Sequence, residues 1–366
     1  VNRPRPSGAR ARLLLLRADA SPELGGGHVM RLLALADSHQ RRGGRVLFAL
    51  NRAAEPLHGA LRRRGHDIAL IAAASGSAGD VDESEALLRQ HEAGAIIVDG
   101  PFAVDLERQL AARGAGPVVV IDDSAGRATA AQVLVNPNAG AELATYTSDG
   151  STALLLGPRY ALIRPEFGGR ARRTRRINLG PIGCLLISFG ASDPVGGTTR
   201  VLRALPAVLA MRVLVVLGAH HARPDRVLEA AQLAGRLGHS VEVLSAPPDM
   251  AQIMTEADAA ISAAGGTLLE LACVGCPTLA FVVADNQLPG SRAMTAAGCV
   301  AGGDDLRSLD DADLARRVAD FLGDADRRRQ IAGRARRMVD GLGAGRILTA
   351  VERLISGPGA RLEAIA

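Results

Sequence analysis

Lysine is absent from this 366-residue chain, so all 43 basic residues are arginine. That alone excludes a Walker A phosphate loop, which needs a lysine to reach the bound phosphates. Tryptophan is absent as well, and aromatic residues make up only 2%. With so few rings to stack on bases, no nucleic-acid partner is expected, despite a net charge of +5. Four scattered cysteines (Cys184, Cys273, Cys276, Cys299) are no disulfide framework and point to a reducing, cytoplasmic setting. Long apolar runs are missing too. The longest uncharged one, residues 271–284, is too short to span a bilayer. The run 13–16 meets Arg17 and Asp19 before a signal-peptide core can form. No stable membrane insertion is expected.

What is present is a large apolar fraction, 48%, with 43 basic residues against 38 acidic ones. Disorder is excluded, and at roughly 150 residues per domain the length suits two domains. Residues 12–17, 45–50, 67–71, 95–99 and 117–122 read as strands. Segments with a 3.6-residue apolar period separate them, the first with Val29, Leu32, Leu33 and Ala36 on one face. The alternation breaks at 165–181, where prolines, glycines and an arginine run between Arg170 and Arg176 suit a solvated linker. It resumes with strands at 182–189, 212–217, 240–244, 259–262 and 277–283, and from Leu288 on the pattern is helical. The expected fold is α/β: two Rossmann-like doubly wound parallel-sheet domains facing an interdomain cleft. The N-terminal domain is set at 11–164, the linker at 165–181 and the C-terminal domain at 182–356.

Gly25, Gly26 and Gly27 lie between the first strand and the first helix, with His28 and Arg31 in that helix's first turn. Backbone N–H groups at such a point face an anion, aided by the helix dipole. A dinucleotide fingerprint fits poorly, because Met30 stands where the third glycine belongs and Asn51 where an acid should end strand two. The dipole's positive end disfavours an imidazolium, so His28 is expected neutral, the state a general base requires. His39, His58, His66, His91 and His239 read as solvated, and His220-His221 lack metal-ligand spacing. Asp99 and the pair Asp122-Asp123, all at strand ends, read as capping or loop-bonding groups. Cys273-x-x-Cys276 reads as buried thiols rather than a zinc or redox pair.

The second half offers three turns after strands. Gly265, Gly266 and Thr267 present N–H groups at a helix N-terminus, a cradle for a diphosphate, with Glu270 one turn on to meet ribose hydroxyls. Asp285, Asn286 and Gln287 suit sugar hydroxyls and amides, and Gly190, Ser192 and Asp193 form the third turn.

Together these motifs resemble a known family. The opening Arg17-Ala-Asp-Ala-Ser21 followed by Gly-Gly-Gly-His28-Val-Met-Arg31 resembles the UDP-2,4-diacetamido-2,4,6-trideoxy-β-L-altropyranose hydrolases of the pseudaminic-acid pathway, relatives of the spore-coat polysaccharide proteins. The similarity runs on through Ile121-Asp-Asp123, Val135-Asn-Pro-Asn138, the 156–167 segment, Ser188 to Asp193, the glycine turn with Glu270, and Ala284 to Gln287. It implies a two-domain GT-B fold like that of the lipid-intermediate N-acetylglucosamine transferase of cell-wall synthesis. It also implies UDP held by the C-terminal domain, no metal and no redox cofactor. His28 would activate water to attack the anomeric carbon with inversion, releasing free sugar and UDP. The chain departs from the family at Pro101 and Phe102, where a tyrosine is usual, and at Leu269 before the glutamate. A glycosyltransferase on the same fold, docking an acceptor or membrane by the basic helix at 57–64, is the alternative. A nucleotide-sugar-binding protein without turnover is the third. The sugar and the oligomeric state stay open.

Overall fold

A computed structural model of the chain describes residues 13–356 except 22–25, 125, 149, 168–180, 191, 208, 219–220 and 248. Arg12, Gly25, His220 and the arginine run of the expected linker lie outside the described residues. The chain forms two compact units. The first runs to Pro165 and resumes at Leu342; the second is Glu166–Gly341.

The first unit is a seven-stranded sheet of order β3-β2-β1-β4-β5-β6-β7, parallel throughout. Its strands are β1 (Leu13–Ala18), β2 (Arg45–Asn51), β3 (Asp67–Ile71), β4 (Ala95–Asp99), β5 (Val118–Ile121), β6 (Val133–Asn136) and β7 (Ala153–Leu156). Helices α1 (Gly27–Arg41), α2 (Glu55–Arg63), α3 (Ala78–Gln90) and α4 (Ala103–Arg113) alternate with the first five strands. Strand β1 shows why the sheet is doubly covered. Leu14, Leu16 and Ala18 enter the core under α1, while Leu15 enters the opposite core under α3 and α4. Strands β6 and β7, four residues each, add to the five strands expected for this half.

The second unit holds β8 (Cys184–Ser188), β9 (Arg212–Leu217), β10 (Ser240–Ser245), β11 (Ala259–Ala263), β12 (Thr278–Val282) and β13 (Ala301–Asp305), in the order β10-β9-β8-β11-β12-β13. Its helices are α5 (Gly197–Arg203), α6 (Pro224–Arg236), α7 (Met250–Glu256), α8 (Thr267–Val274), α9 (Leu288–Ala296), α10 (Asp311–Gly323) and α11 (Ala325–Met338). Strand β13 corrects the wholly helical reading after Leu288. Its Ala-Gly-Gly-Asp-Asp sequence has turn composition, yet Gly302 (φ +83°) lies so close to β12 that a Cβ would sit 2.5 Å from the Ala280 carbonyl oxygen.

The final helix, α12 (Gly343–Ser356), corrects the expected C-terminal boundary at 356. Its apolar face, Ile347, Leu348 and Val351, joins the core of the first unit beside α1. A helical period shows that a face is apolar without showing which core receives it. Three histidines read as solvated are buried instead: His39, His66 and His239. His66 bonds Asp37 through Nε2 at 2.9 Å and lies against the Phe48 ring. Among the described residues, no helix is long and apolar enough to cross a membrane.

Candidate active site

In the first sheet the chain moves outward from β1 to β2 and β3, then returns to place β4 on the other side of β1. The carboxyl ends of β1 and β4 therefore border the point where strand order reverses, which is where open parallel sheets bind ligands. His28 follows β1 as the second residue of α1, and Asp99 closes β4, wholly buried. Nδ1 of His28 lies 2.8 Å from Asp99 Oδ1. Arg31, one helical turn beyond His28, donates from Nε to Asp99 Oδ2 at 2.8 Å and from a terminal nitrogen to Oδ1 at 2.6 Å. The same guanidinium grips Asp123, which follows β5, at 2.7 and 2.9 Å. Asn138 donates to Asp123 at 2.9 Å.

Donor counting settles the tautomer. An ionised carboxylate only accepts, so Nδ1 of His28 must carry the proton it shares with Asp99. The Arg31 nitrogen 3.3 Å from Nδ1 already spends both its hydrogens on Asp99 and Asp123. Nε2 has no hydrogen-bond partner among the described residues, on a ring that is about one-fifth exposed, and in the neutral ring it is the nitrogen that holds the lone pair. Burial pulls the Arg31 guanidinium down, but Asp99 and then Asp123 outweigh it and hold the group above its ordinary value. Burial pushes the Asp123 carboxyl up, yet the hydrogen bonds and charge of Arg31, with the Asn138 amide, hold it below the usual range.

His28, Asp99 and Asp123 bring their donor atoms within 4.8 Å of one another, a spacing that suits a metal ion. Arg31 already binds both carboxylates, so this donor set is built around an arginine. Behind it the fully buried Arg17 holds Asp80 at 2.9 Å through two nitrogens, bonds Asp19 and stacks on Phe102 at 4.5 Å. That network ties the end of β1 to α3 and pairs both carboxylates with Arg17. Gly26 precedes α1, where a Cβ would crowd Leu57 at 3.1 Å, while Gly27 faces open space.

In the second unit the three expected turns follow β8, β11 and β12, which are consecutive neighbours in the sheet. Ser262 Oγ donates to the Ser188 carbonyl at 2.8 Å and fastens the first two strand ends together. The N–H groups of Gly265, Gly266 and Thr267 have no acceptor among the described residues, and Gly266 is exposed with open space around it. Gln287 Oε1 accepts from the Val283 N–H at 3.0 Å, and its amide nitrogen lies 3.6 Å from where a Cβ of Gly265 would stand. Asn286 is exposed, Glu270 is part-buried in the first turn of α8, and Asp285 pairs with Arg307 at 2.6 Å.

Two residues expected to bind substrate have other work. Asp193 is buried, in a left-handed backbone (φ 43°), and its oxygens accept from the N–H groups of Gly197 at 2.7 Å and Thr198 at 2.9 Å. It caps α5. Gly190 (φ +83°) and Ser192 remain exposed around it. Arg31 spends four of its five donors on two carboxylates and so holds the site together. Asp99 and Asp123 are the residues that sequence reasoning passed over. Asp99 ends β4, which neighbours the strand that feeds His28, and Asp123 follows β5, one strand further out.

Compared with known protein families, the chain matches none. It is 24% identical over 280 residues, 74% of this chain and 77% of the other, to the spore coat polysaccharide biosynthesis protein SpsG of Bacillus subtilis. It is 28% identical over 171 residues to the uncharacterised protein MJ1062 of Methanocaldococcus jannaschii, spanning 33% of that protein. Among solved structures it resembles MurG of Acinetobacter baumannii (TM-score 0.65, 15% identity, 93% of this chain and 99% of that one). It also resembles the calicheamicin glycosyltransferase CalG4 (TM-score 0.62, 18% identity, 96% and 100%). A third is the UDP-GlcNAc 2-epimerase of Neisseria meningitidis (TM-score 0.56, 14% identity, 93% and 100%). These likenesses establish the architecture: two Rossmann-like parallel-sheet units in the GT-B fold.

Proposed function

We propose that the chain is an enzyme acting on a UDP-amino sugar, with His28 as general base, and that it transfers the sugar to an acceptor hydroxyl. The observation that supports this reading is the His28–Asp99 pair, which turns Nδ1 to the carboxylate, so that in a neutral ring Nε2 is the basic nitrogen, at the sheet edge where such folds take their ligands. As the acceptor oxygen bonds to the anomeric carbon, Nε2 takes its proton and the carbon–oxygen bond to the diphosphate breaks. The departing UDP carries the electron pair away as added negative charge. N–H groups of Gly265, Gly266 and Thr267 are suited to receive that charge at the start of α8. Asp99 is wholly buried behind His28 and Arg31, so it is not placed to attack the carbon itself. In this reading the reaction is a single displacement with inversion. Base assistance contributes about 10²–10⁴-fold to such a step.

The likeness to a spore-coat polysaccharide protein and to glycosyltransferases favours transfer. Hydrolysis is the second reading, favoured by the resemblance of the Gly26-Gly27-His28 to Arg31 segment to the nucleotide-sugar hydrolases of the pseudaminic-acid pathway. In that case water takes the acceptor's place and the products are free sugar and UDP.

The test is mass spectrometry of products from a panel of UDP-amino sugars, incubated in ¹⁸O-water with and without acceptor sugars. UDP release only with acceptor supports transfer. UDP release without it, with ¹⁸O in the sugar, supports hydrolysis. Label in UDP, or UDP binding without turnover across the panel, overturns both.

A further inference from the structure

Two carboxylates and one guanidinium meet at His28, and their charges do not cancel. With the ring neutral, Asp99, Asp123 and Arg31 sum to one negative charge; with the ring protonated, the cluster is neutral. We propose that Arg31 is a positioning residue that sets the charge of His28, offsetting enough of the two carboxylates for the ring to rest neutral. The remaining negative charge then favours the proton that the ring gains during reaction. The proposal rests on the reading of His28 as the base, and it adds how that base is kept ready.

The geometry carries it. Arg31 makes four charge-assisted bonds, two to each carboxylate, from one turn along the same helix. One of its nitrogens bridges Asp99 Oδ1 and Asp123 Oδ2, so the positive charge lies beside the carboxylate oxygen that receives the ring proton. Among the described residues, the charged groups at the neighbouring strand ends and on α3 are committed elsewhere. Asp19 after β1 and Asp80 on α3 are bound to Arg17, and Asp122 after β5 accepts from Tyr146 and pairs with Arg127. Among the described residues, Asp99, Arg31 and Asp123 are thus the charges whose alteration should be felt at the ring.

The test follows the imidazole Cε1–H signal of His28 by NMR through a pH titration, assigned by its loss in His28→Gln. The proteins compared are the unaltered chain, Arg31→Gln, Arg31→Lys and Asp123→Asn. Arg31→Gln leaves two uncompensated carboxylates and should move the titration midpoint up by about one pH unit. Asp123→Asn removes a negative charge and should move it down; Arg31→Lys keeps the charge and should stay near the original. The acid limb of kcat/KM should move in the same directions. A merely structural role would lower turnover at every pH and leave the limb in place. Coincident midpoints in the Gln and Asn variants overturn the proposal. Asp123 is half-exposed, so its variant carries the test alone if Arg31→Gln fails to fold. Midpoints that move in a protein that turns over no UDP-sugar would uphold the charge coupling and remove the base assignment. Turnover with fixed midpoints would do the reverse.

Discussion

Asp99 Oδ1 stands 2.8 Å from Nδ1 of His28, although 71 positions separate the two residues in the chain. The contact exists because doubly wound topology makes β1 and β4 neighbours, so two distant strand ends share one edge. Asp99→Asn keeps the shape of the buried group but no longer requires a proton on Nδ1. The proton then partitions to Nε2 and the base is lost. Turnover of the active UDP-sugar should fall by about 10²–10⁴-fold, as for His28→Gln. UDP affinity by calorimetry should change little in either variant. Equal losses of affinity and turnover would mean that the pair shapes the site without taking part in the chemistry.

The two parallel sheets were legible because apolar runs alternate with 3.6-period helices over long stretches. Strands β6 and β7 were not, since four residues of Val-Leu-Val-Asn or Ala-Leu-Leu-Leu suit a helix turn equally. Strand β13 was hidden behind two glycines, whose value lies in close approach to β12. His28 announced itself by local context alone. Asp99 did not, because its role depends on which strands become neighbours, and a lone carboxylate at a strand end looks like a cap wherever it occurs. Asp193 shows the converse: a residue in a plausible binding turn whose buried carboxylate is consumed by two backbone amides.

Gly266 offers a direct test of the diphosphate cradle. Its backbone is right-handed (φ −55°) and open space surrounds it, so a side chain there costs the fold little. Gly266→Ala should keep most UDP affinity. Gly266→Asp puts a carboxylate where the diphosphate is expected and should weaken UDP by at least about tenfold, given the loss of the helix-end attraction and added repulsion. Equal UDP affinity in both variants, by calorimetry, would move the nucleotide elsewhere.

Asp193→Ala should act on stability first. It strips two amides at the start of α5 of their acceptor, at a cost of about 1–2 kcal/mol. The left-handed backbone adds a preference that asparagine meets and alanine does not. Urea unfolding should therefore rank Asp193→Asn well above Asp193→Ala. A UDP affinity lost in Asp193→Ala without loss of stability would restore the residue to the binding site.

Burial pushes the Cys273 thiol up to about 12. At pH 8 its thiolate fraction is then about 10⁻⁴, so the folded chain should leave Cys273 unmodified by a chromogenic disulfide reagent. Unfolding in guanidinium should release all four thiols. The sign for stability follows. The unfolded thiol ionises first, near pH 9, so this group's contribution falls as pH rises from about 9 to about 12. Fast reaction of Cys273 in the native chain at pH 8 would show that α8 opens readily.

Gly343 decides where the chain's last helix lies. A Cβ there would stand 2.3 Å from the Ala161 carbonyl oxygen and 2.5 Å from the Tyr160 carbonyl carbon, backbone atoms that cannot swing aside. Two residues on, a Cβ at Gly345 would meet only the movable end of Arg42, at 3.2 Å. Around this contact Arg346 donates to the Arg159 carbonyl at 2.8 Å, and Arg42 donates to the Gly345 carbonyl at 2.8 Å and pairs with Glu352 at 3.1 Å. Gly343→Ala must either lift α12 or shift residues 160–161, at a cost of about 1–3 kcal/mol, as overpacked cores do. Gly345→Ala should be close to neutral, since a helix gains by that exchange wherever space allows. Hydrogen exchange should show residues 343–356 losing protection in Gly343→Ala alone, with α1 loosening because Ile347, Leu348 and Val351 complete its core. Identical exchange in the two variants would mean that α12 rests on the first unit without being part of its core.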